Sequence, residues 1–295
     1  MTEINKKQKI LVTGGSGFIA SFLVEELVKK GYPVTIFDID QPKFTPTVAF
    51  IKGDITAREA VDKALQGQDI VFHYAGMLGT HETVKKAYQA ARINILGALN
   101  VFDGALKNKV KKVFDVTKPN YWRNAYTITK IAAEEFGLMY RDEFNLPVIL
   151  LRYFNIYGPR QKTDIYQKAV PTFILRALKN KPLEIFGDGT QGTDHLFVED
   201  AVRATVKLFE EGEVPKEAVE IGSGVEVTVN EIAEKIIRLT GSQSEIKHLP
   251  MRRGETEHTR IKADISYLRD VLGFRPKTSF EEGLVKTINY YKKLI

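Results

Sequence analysis

Short apolar runs alternate with amphipathic segments through the first half of the chain. Apolar runs predict buried strands, and apolar residues spaced three or four positions apart predict helices. The predicted strands are 9–13, 33–38, 48–51, 69–74, 112–117 and 147–152. The predicted helices are 18–30, 57–65, 83–107 and 126–143. Strands that are apolar almost throughout are typical of parallel sheets covered on both faces. The alternation therefore predicts an α/β fold built on a doubly wound parallel sheet.

The regular alternation loosens in the second half of the chain. Helices are predicted at 169–180 and 230–240 between irregular segments, and the strand–helix pattern returns near 195–223. Doubly wound sheets bind their ligands beyond the carboxyl ends of the strands. We therefore predict that residues 1–160, with the return segment, form the sheet domain. Residues 161–295 are predicted to form mainly a smaller C-terminal α/β lobe over the ligand.

A glycine cluster joins the first predicted strand to the first predicted helix. Gly14 allows a tight turn, Gly17 lets the backbone approach a pyrophosphate, and Ala20 is small enough for helix and strand to pack closely. The helix N-terminus then offers free N–H groups to phosphate oxygens. This spacing also occurs in plain turns. However, Asp38 ends the next strand about 20 residues later, where a carboxylate binds the adenosine ribose and repels a 2′-phosphate. Together the two features predict a site for NAD rather than NADP.

The composition excludes several kinds of function. The 295 residues, 43% hydrophobic and 27% charged, can form the large core of a globular protein. No apolar run reaches the ~20 residues of a membrane span, and the polar N-terminus does not resemble a signal peptide. We therefore predict a cytoplasmic protein without membrane association.

Metal and nucleic-acid sites are also not predicted. The absence of cysteine excludes disulfides and thiolate metal ligands, and the five histidines lack ligand spacing. The net charge of +6 comes from dispersed lysines rather than from a clustered basic face, which argues against a nucleic-acid partner.

Tyr126 and Lys130 stand four residues apart at the start of a predicted helix and so share one face. A free phenol has a pKa near ~10 and is a poor base at neutral pH. A cation within about 4–6 Å favours the phenolate and brings that pKa towards neutrality. The same spacing occurs on many helices without a catalytic role. Behind a dinucleotide motif, and with Thr117 ending the preceding strand, it predicts an acid/base that deprotonates an alcohol while hydride leaves its carbon.

Further motifs occur in order along nearly the whole chain. They are TGGSGFI (13–19), GD (53–54), HYAG (73–76), YxxxK (126–130), RYFNIYGP (152–159), GDGTQ (187–191), VED (198–200), RxGE (252–255) and LGFxP (272–276). The set resembles the extended short-chain dehydrogenase/reductases, specifically the NAD-dependent nucleotide-sugar epimerase/dehydratase family. Within that family it is most similar to the UDP-glucose 4-epimerases. The resemblance implies an NAD-binding Rossmann domain in residues 1–160 and a substrate-binding lobe mainly in 161–295.

The resemblance also implies a set of contacts to NAD. Phe18 and Ile19 meet the pyrophosphate through their backbone N–H groups, and Lys130 holds the nicotinamide ribose. The implied cofactor residues are Gly14, Gly17, Phe18, Ile19, Asp38, Asp54, Ile55, Ala75, Gly76, Met77, Asn94, Tyr126, Lys130 and Phe154.

The implied substrate residues are Thr117, Thr80, Asn155, Ile185, Phe186 and Arg252. Asn155 and Arg252 would contact the diphosphate, which a guanidinium can bind bidentately. Each also has a plainer interpretation: Asn155 as a loop stabiliser, and Arg252 as an exposed surface cation. Ile185 and Phe186 would lie along the nucleobase or pack in the core. Thr117 stands where the assisting Ser or Thr of the catalytic group usually stands.

The chain departs from the family pattern at three places, one of which is 77–81, an unusual version of the loop that faces the sugar. Thr117 and Tyr126 are only nine positions apart, much closer than is usual, and 118–122 replaces a Ser-rich stretch. We therefore expect a reshaped sugar pocket. Thr193 stands where an arginine for the diphosphate is common, which leaves Arg252, with Arg160 or His195, to supply positive charge.

Within the family, the residues around the tyrosine set the reaction. Dehydratases carry an Asp-Glu pair after the Ser or Thr, whereas Lys118 follows Thr117 here, and the deoxysugar reductase/epimerases use a cysteine, which this chain lacks. The resemblance therefore implies NAD-dependent epimerisation, at C4 of a UDP-hexose, through a transient 4-keto intermediate. A dehydratase or decarboxylase with acids supplied elsewhere, and a non-catalytic dinucleotide sensor, remain alternatives.

Two predicted helices carry more apolar surface than one face of a sheet can cover. These apolar residues are Ile95, Leu99, Phe102, Ile131, Phe136, Leu138 and Met139. In the enzymes that the chain resembles, the equivalent helices pair across a two-fold axis. The resemblance therefore implies a homodimer.

Overall fold

The computed structural model describes residues 8–119, 122–163 and 168–295. Its strands are β1 (Ile10–Thr13), β2 (Val34–Asp38), β3 (Ala49–Lys52), β4 (Ile70–His73), β5 (Lys112–Thr117), β6 (Val148–Tyr153), β7 (Asn155–Tyr157), β8 (Leu183–Phe186), β9 (Gly192–Phe197), β10 (Val219–Ile221), β11 (Glu226–Thr228), β12 (Ile246–Leu249) and β13 (Arg260–Ile261). Its helices are α1 (Phe18–Lys29), α2 (Arg58–Leu65), α3 (Ala87–Ala91), α4 (Gly97–Lys107), α5 (Ala125–Phe144), α6 (Ala169–Ala177), α7 (Val198–Glu211), α8 (Val229–Thr240) and α9 (Phe280–Lys292).

Seven strands form the central sheet, in the order β10-β6-β5-β4-β1-β2-β3, and every neighbouring pair is parallel. Apolar side chains of these strands are buried between helices on both faces, with α1 and α7 on one face and α2, α4 and α5 on the other. The predicted doubly wound parallel Rossmann sheet is confirmed. Its last strand, β10, lies in the predicted return segment and pairs with β6.

A smaller α/β lobe follows the sheet. Strand β7 comes directly after β6 and pairs in parallel with β9, so that Asn155 lies opposite His195. Strands β11 and β13 flank β9, and β8 pairs separately with β12. Because β7 continues from the carboxyl end of β6, the lobe is attached to the edge of the sheet where ligands are expected to bind.

Three predictions about the helices need correction. The helix predicted at 83–107 begins at Ala87 and is interrupted by a π-helical turn, Arg92–Leu96. Residues 81–85 form turns instead, and the Thr83 hydroxyl donates to the Gly79 carbonyl, 2.7 Å away, in competition with helical backbone bonds. The helix predicted at 169–180 ends at Ala177, because Asn180 adopts a left-handed conformation with φ +48°. Phe102, predicted for an unpaired surface, is fully buried.

The described residues lack two further features. No helix among residues 8–119, 122–163 and 168–295 combines the length and the apolar character that crossing a membrane requires. The same ranges contain no cluster of histidine and carboxylate side chains arranged to hold a metal ion.

Candidate active site

The turn between β1 and α1 has the geometry of a phosphate site. Gly14 adopts φ +69°, a conformation that disfavours any residue with a Cβ. A Cβ there would also lie 2.6 Å from the Ala75 nitrogen, so a side chain would clash with the backbone. Helix α1 begins after Gly17, and no described side chain caps its N-terminus. The N–H groups of its first turn can therefore bind phosphate oxygens.

The Asp38 carboxylate is held beside this turn at the carboxyl end of β2. It accepts hydrogen bonds from the backbone N–H groups of Ser16, at 3.0 Å, and Asp40, at 3.1 Å. An anion fixed here can accept hydrogen bonds from ribose hydroxyls. The uncapped helix and the fixed carboxylate together fit an adenine dinucleotide.

The remaining predicted cofactor residues surround this site. Ile55 is buried against Gly97, and the Asp54 carboxylate accepts from the Thr56 N–H at 2.8 Å. The buried Asn94 amide bonds both the N–H and the carbonyl of Met77, at 2.7 and 3.0 Å. Asn94 therefore fixes the backbone of the segment that includes Ala75 and Gly76.

The predicted acid/base group lies where β5 ends and α5 begins. The Asn124 side chain caps α5 by accepting from the Thr127 N–H at 2.9 Å, which places Tyr126 in the first turn. Lys130 follows one turn later and is buried. The buried Thr117 hydroxyl ends β5 and has no hydrogen-bond partner among the residues that the structure describes. It is thus available for a ligand.

A cavity of about 310 Å³ lies between this group and the C-terminal lobe. Many of the predicted residues line it: Phe18, Ile19, Thr80, Thr117, Tyr126, Phe154, Asn155, Ile185, Phe186 and Arg252. The other predicted residues lie outside the described lining: Gly14, Gly17, Asp38, Asp54, Ile55, Ala75, Gly76, Met77, Asn94 and Lys130. The cavity therefore brings the predicted substrate residues together with Tyr126.

The far wall of the cavity is built around Arg252. Its guanidinium carbon lies 4.5 Å from the centre of the Phe186 ring, and its Nε donates to the Glu255 carboxylate at 3.1 Å. Glu255 also accepts from the Thr80 hydroxyl at 3.0 Å. Arg252 is thus partly buried and oriented by two neighbours, unlike an exposed surface cation. Sequence analysis missed Glu255, although it belongs to the RxGE motif.

Residues 10–222 match the model of the NAD dependent epimerase/dehydratase family. The chain belongs to this family. NAD is its cofactor, in agreement with the glycine turn and Asp38.

Several members of the family are similar over almost their full length. A UDP-N-acetyl-alpha-D-glucosaminuronate decarboxylase from Bacillus cytotoxicus is 34% identical, over 98% of this chain and 99% of its own. A UDP-glucose 4-epimerase from Thermotoga maritima, solved with UDP-glucose, is 30% identical with a TM-score of 0.91, over 97% and 99% of the two chains. A UDP-glucuronic acid 4-epimerase from Bacillus cereus, solved with UDP-glucuronic acid and NAD, is 28% identical with a TM-score of 0.88, over 98% and 100%.

Lys118, directly after Thr117, is buried. Sequence analysis gave this lysine no role in the site. The Lys118 Nζ lies 5.6 Å from the centre of the Tyr126 ring and donates to the Thr127 hydroxyl at 2.8 Å. Burial, helped by the charge of Lys168, lowers the pKa of Lys118 to about 7. Both lysines line the cavity. Asn120 and Tyr121, in the same shortened segment, lie outside the described residues.

The residues proposed to replace the arginine at Thr193 do not supply charge in this structure. Burial lowers the pKa of His195 to about 4, so its ring is neutral at pH 7. Arg160 lies between the rings of Phe22 and Phe44, at 4.1 and 4.2 Å, and is not among the described residues that line the cavity. Among the described residues, this wall carries the cations Arg252, Lys168 and Arg176, and Arg176 is paired with Glu184 at 2.6 Å.

Proposed function

We propose that this family member epimerises a UDP-hexose at C4 through a transient 4-keto sugar. The observation that carries the proposal is the shared cavity, with Tyr126 and Thr117 at one end and Arg252 against Phe186 at the other. One end offers an acid/base for a sugar hydroxyl, and the other offers a cation and a ring for a nucleoside diphosphate. The T. maritima relative, solved with UDP-glucose, supports the same substrate class.

In this proposal, Tyr126, Lys130 and Thr117 each have a separate role in proton transfer. Tyr126 takes the proton of the 4′-hydroxyl and later returns it, while the nearby ammonium of Lys130 favours the phenolate. The Thr117 hydroxyl, which lacks a described partner, steadies the reacting oxygen. When bound, NAD accepts a hydride from C4 of the sugar and returns it to the opposite face.

Arg252 and Phe186 are assigned to the nucleotide end. Glu255 holds the guanidinium in place, so that Arg252 can meet the diphosphate bidentately. Phe186 offers the neighbouring ring face to the base, and Asn155, at the start of β7, lines the wall between the two ends. Ile185 is almost fully buried, which favours a packing role over nucleobase contact.

The experiment for this proposal is a product analysis by NMR. Purified protein is incubated with UDP-glucose, UDP-N-acetylglucosamine and UDP-glucuronic acid in turn. We expect at least one of them to equilibrate with its C4 epimer, without change of mass or net redox change. A panel in which only loss of water or CO₂ occurs would replace the epimerase with a dehydratase or a decarboxylase.

Decarboxylation of a UDP-hexuronic acid is the second candidate function. It is favoured by the position of Lys118 beside Tyr126, where a cation can meet a sugar carboxylate, and by the B. cytotoxicus relative. In a 4-keto hexuronate the bond to the carboxylate carbon breaks, CO₂ leaves, and the electron pair passes to C5 and the ketone before C5 is protonated. The NMR panel separates this reaction from epimerisation, because the product lacks the carboxylate.

Replacing Asp38 with alanine is expected to weaken NAD binding by about 10-fold or more, because hydrogen bonds to a charged group contribute about 1.5–3 kcal/mol. Its carboxylate also repels the 2′-phosphate of NADP, so the preference for NAD should shrink. Calorimetric titration with both cofactors measures this ratio. Asp40→Ala is the matched control, since the neighbouring Asp40 contacts the turn only through its backbone. An unchanged ratio in Asp38→Ala would contradict the ribose assignment.

We infer that the protein is a homodimer through α4 and α5. Exposed apolar side chains mark this surface: Leu96 before α4, Leu106 on α4, and Ile128 and Met139 on α5. Light scattering at micromolar concentration is expected to give the mass of a dimer, and Met139→Glu should shift it towards a monomer. Val271→Glu, at an exposed position elsewhere, should leave the mass unchanged. A monomeric wild type would contradict the inference.

The division of labour between the two parts of the chain is also a proposal. We infer that residues 1–160 and a return near 195–223 bind NAD, and that 161–295 mainly bind the sugar nucleotide. One support is β10, which lies within the return segment and extends the central sheet. The other is that Arg252 and Phe186, which line the cavity, lie outside the central sheet. A cytoplasmic location is consistent with a nucleotide-sugar substrate.

A further inference from the structure

A carboxylate lies in the middle of the central sheet, where its neighbours along β5, Phe114 and Val116, are apolar. Asp115 on β5 is 0% exposed, and neither oxygen has a hydrogen-bond partner among the described residues. The backbone N–H of Val116 favours the charged form of Asp115, but less than the other groups around it. Burying a carboxylate without hydrogen bonds is unfavourable. Packing alone therefore does not explain why this position is an aspartate.

The side chain of Asp115 lies on the face of the sheet that α5 covers. Val113, two residues earlier, belongs to the core cluster that contains Ala133 of α5, whereas Phe114 belongs to the cluster on the other face. Side chains alternate along a strand, so Asp115 shares the face of Val113. On α5, Lys130 and Glu134 are both buried and lie one turn apart on either side of Ala133.

The charged groups around Asp115 come from three elements. From α5, the charge of Lys130 favours the ionised carboxylate and that of Glu134 opposes it. Glu134 is itself bonded to Arg152 of β6. From β4, His73 is the register partner of Asp115, and burial lowers its pKa to about 3, so it is neutral. Lys130 is thus the cation whose charge acts on Asp115, while Arg152 is engaged by Glu134.

We propose that Asp115 is a positioning residue, a buried carboxylate whose charge orients the Lys130 side chain beside Tyr126. This deepens the proposed function and rests on it, because Lys130 is taken there as the partner of Tyr126. Asp115 would then serve the active site by orienting Lys130, although its burial lowers the stability of the folded protein.

The stability of the fold gives a readout that does not depend on the sugar. Burial raises the pKa of Asp115 to about 6, above the value near 4 of a carboxyl in the unfolded chain. The folded protein therefore holds this proton more tightly, and the contribution of Asp115 to stability is lost as pH rises from about 4 to about 6. Asp115→Asn should remove that slope, and it should be at least as stable as wild type at pH 7.

The experiment compares wild type with Asp115→Asn in urea unfolding between pH 4 and 7, NAD titration, and a pH–rate profile. We expect NAD affinity to fall by about 10-fold and turnover at pH 7 by up to about 100-fold, because small displacements of a catalytic group can cost that much. Wild-type turnover should decline as pH falls through about 6, and the variant should lack this limb. Glu134→Gln is the control, because it removes a hydrogen-bonded carboxylate and should lower stability while retaining a slope from Asp115 that is displaced to lower pH, since the charge of Glu134 raises the pKa of Asp115.

Two results would overturn the proposal. An Asp115→Asn protein that unfolds at lower urea than wild type at pH 7 would make Asp115 structural. Wild-type NAD affinity and turnover in Asp115→Asn would mean that Asp115 does not position Lys130. If the wild type turns over no sugar nucleotide, the epimerase proposal fails on its own, and NAD titration and unfolding still decide the role of Asp115.

Discussion

Replacing Tyr126 with phenylalanine is expected to slow sugar turnover by roughly 10²–10⁴-fold, the contribution of a positioned acid/base. The variant keeps the ring that lines the cavity and loses only the hydroxyl proposed to exchange a proton with the substrate. Helix α5 should be unaffected, since its cap is the Asn124 side chain. The measurement is the rate of epimer formation at saturating substrate.

Two controls accompany Tyr126→Phe. NAD affinity should change little, because the phenol is assigned to proton transfer and Lys130 to the ribose. Tyr88→Phe removes a hydroxyl from a tyrosine that is 86% exposed, and it should react at the wild-type rate. Turnover at the wild-type rate in Tyr126→Phe would exclude the proposed mechanism.

Replacing Gly14 with alanine is expected to abolish tight NAD binding. The new methyl group would lie 2.6–2.8 Å from the backbone of Tyr74 and Ala75, neither of which can move without disturbing the end of β4. The left-handed conformation, φ +69°, adds about 1–2 kcal/mol of strain for any residue with a Cβ. Both effects act on the turn that presents the N–H groups of α1. NAD titration and thermal unfolding measure the two consequences.

Gly31→Ala separates the two effects. Gly31 also has a positive φ, +89°, but a Cβ there meets no atom within 4 Å. It should lose about 1–2 kcal/mol of stability from strain alone and retain wild-type NAD affinity. Equal NAD affinity in Gly14→Ala and wild type would contradict the assignment of this turn to the pyrophosphate.

The local parts of the fold could be predicted from the sequence, because they depend on neighbouring residues. Apolar runs located the six strands of the first half. Asp38, Tyr126 and Thr117 were predicted as site residues from their places at strand or helix ends, and their roles stay predictions. Helix boundaries were less accurate where one side chain decides them. Thr83 holds a turn where a helix was predicted, and the cap by Asn124 was not anticipated.

Features that depend on distant residues could not be predicted in the same way. The bond that the Thr80 hydroxyl donates to Glu255 joins residues 175 positions apart. Sequence analysis gave Lys118 and Asp115 no role in the site, because lysine and aspartate are mostly exposed in proteins. The fold shows that both are buried. Their positions near Tyr126 and Lys130 follow from the packing of α5 over β5, which the sequence does not show.

In the proposed reaction, C4 of the sugar is oxidised and then reduced within one binding event, and deuterium on C4 reports whether this happens. UDP-glucose carrying deuterium at C4 is incubated with the protein in ordinary water, and the product is examined by NMR and mass spectrometry. We expect a C4 epimer that retains its deuterium at C4, with no change in mass. An epimer in which hydrogen from water has replaced the deuterium would contradict the proposed transfer of hydride through NAD.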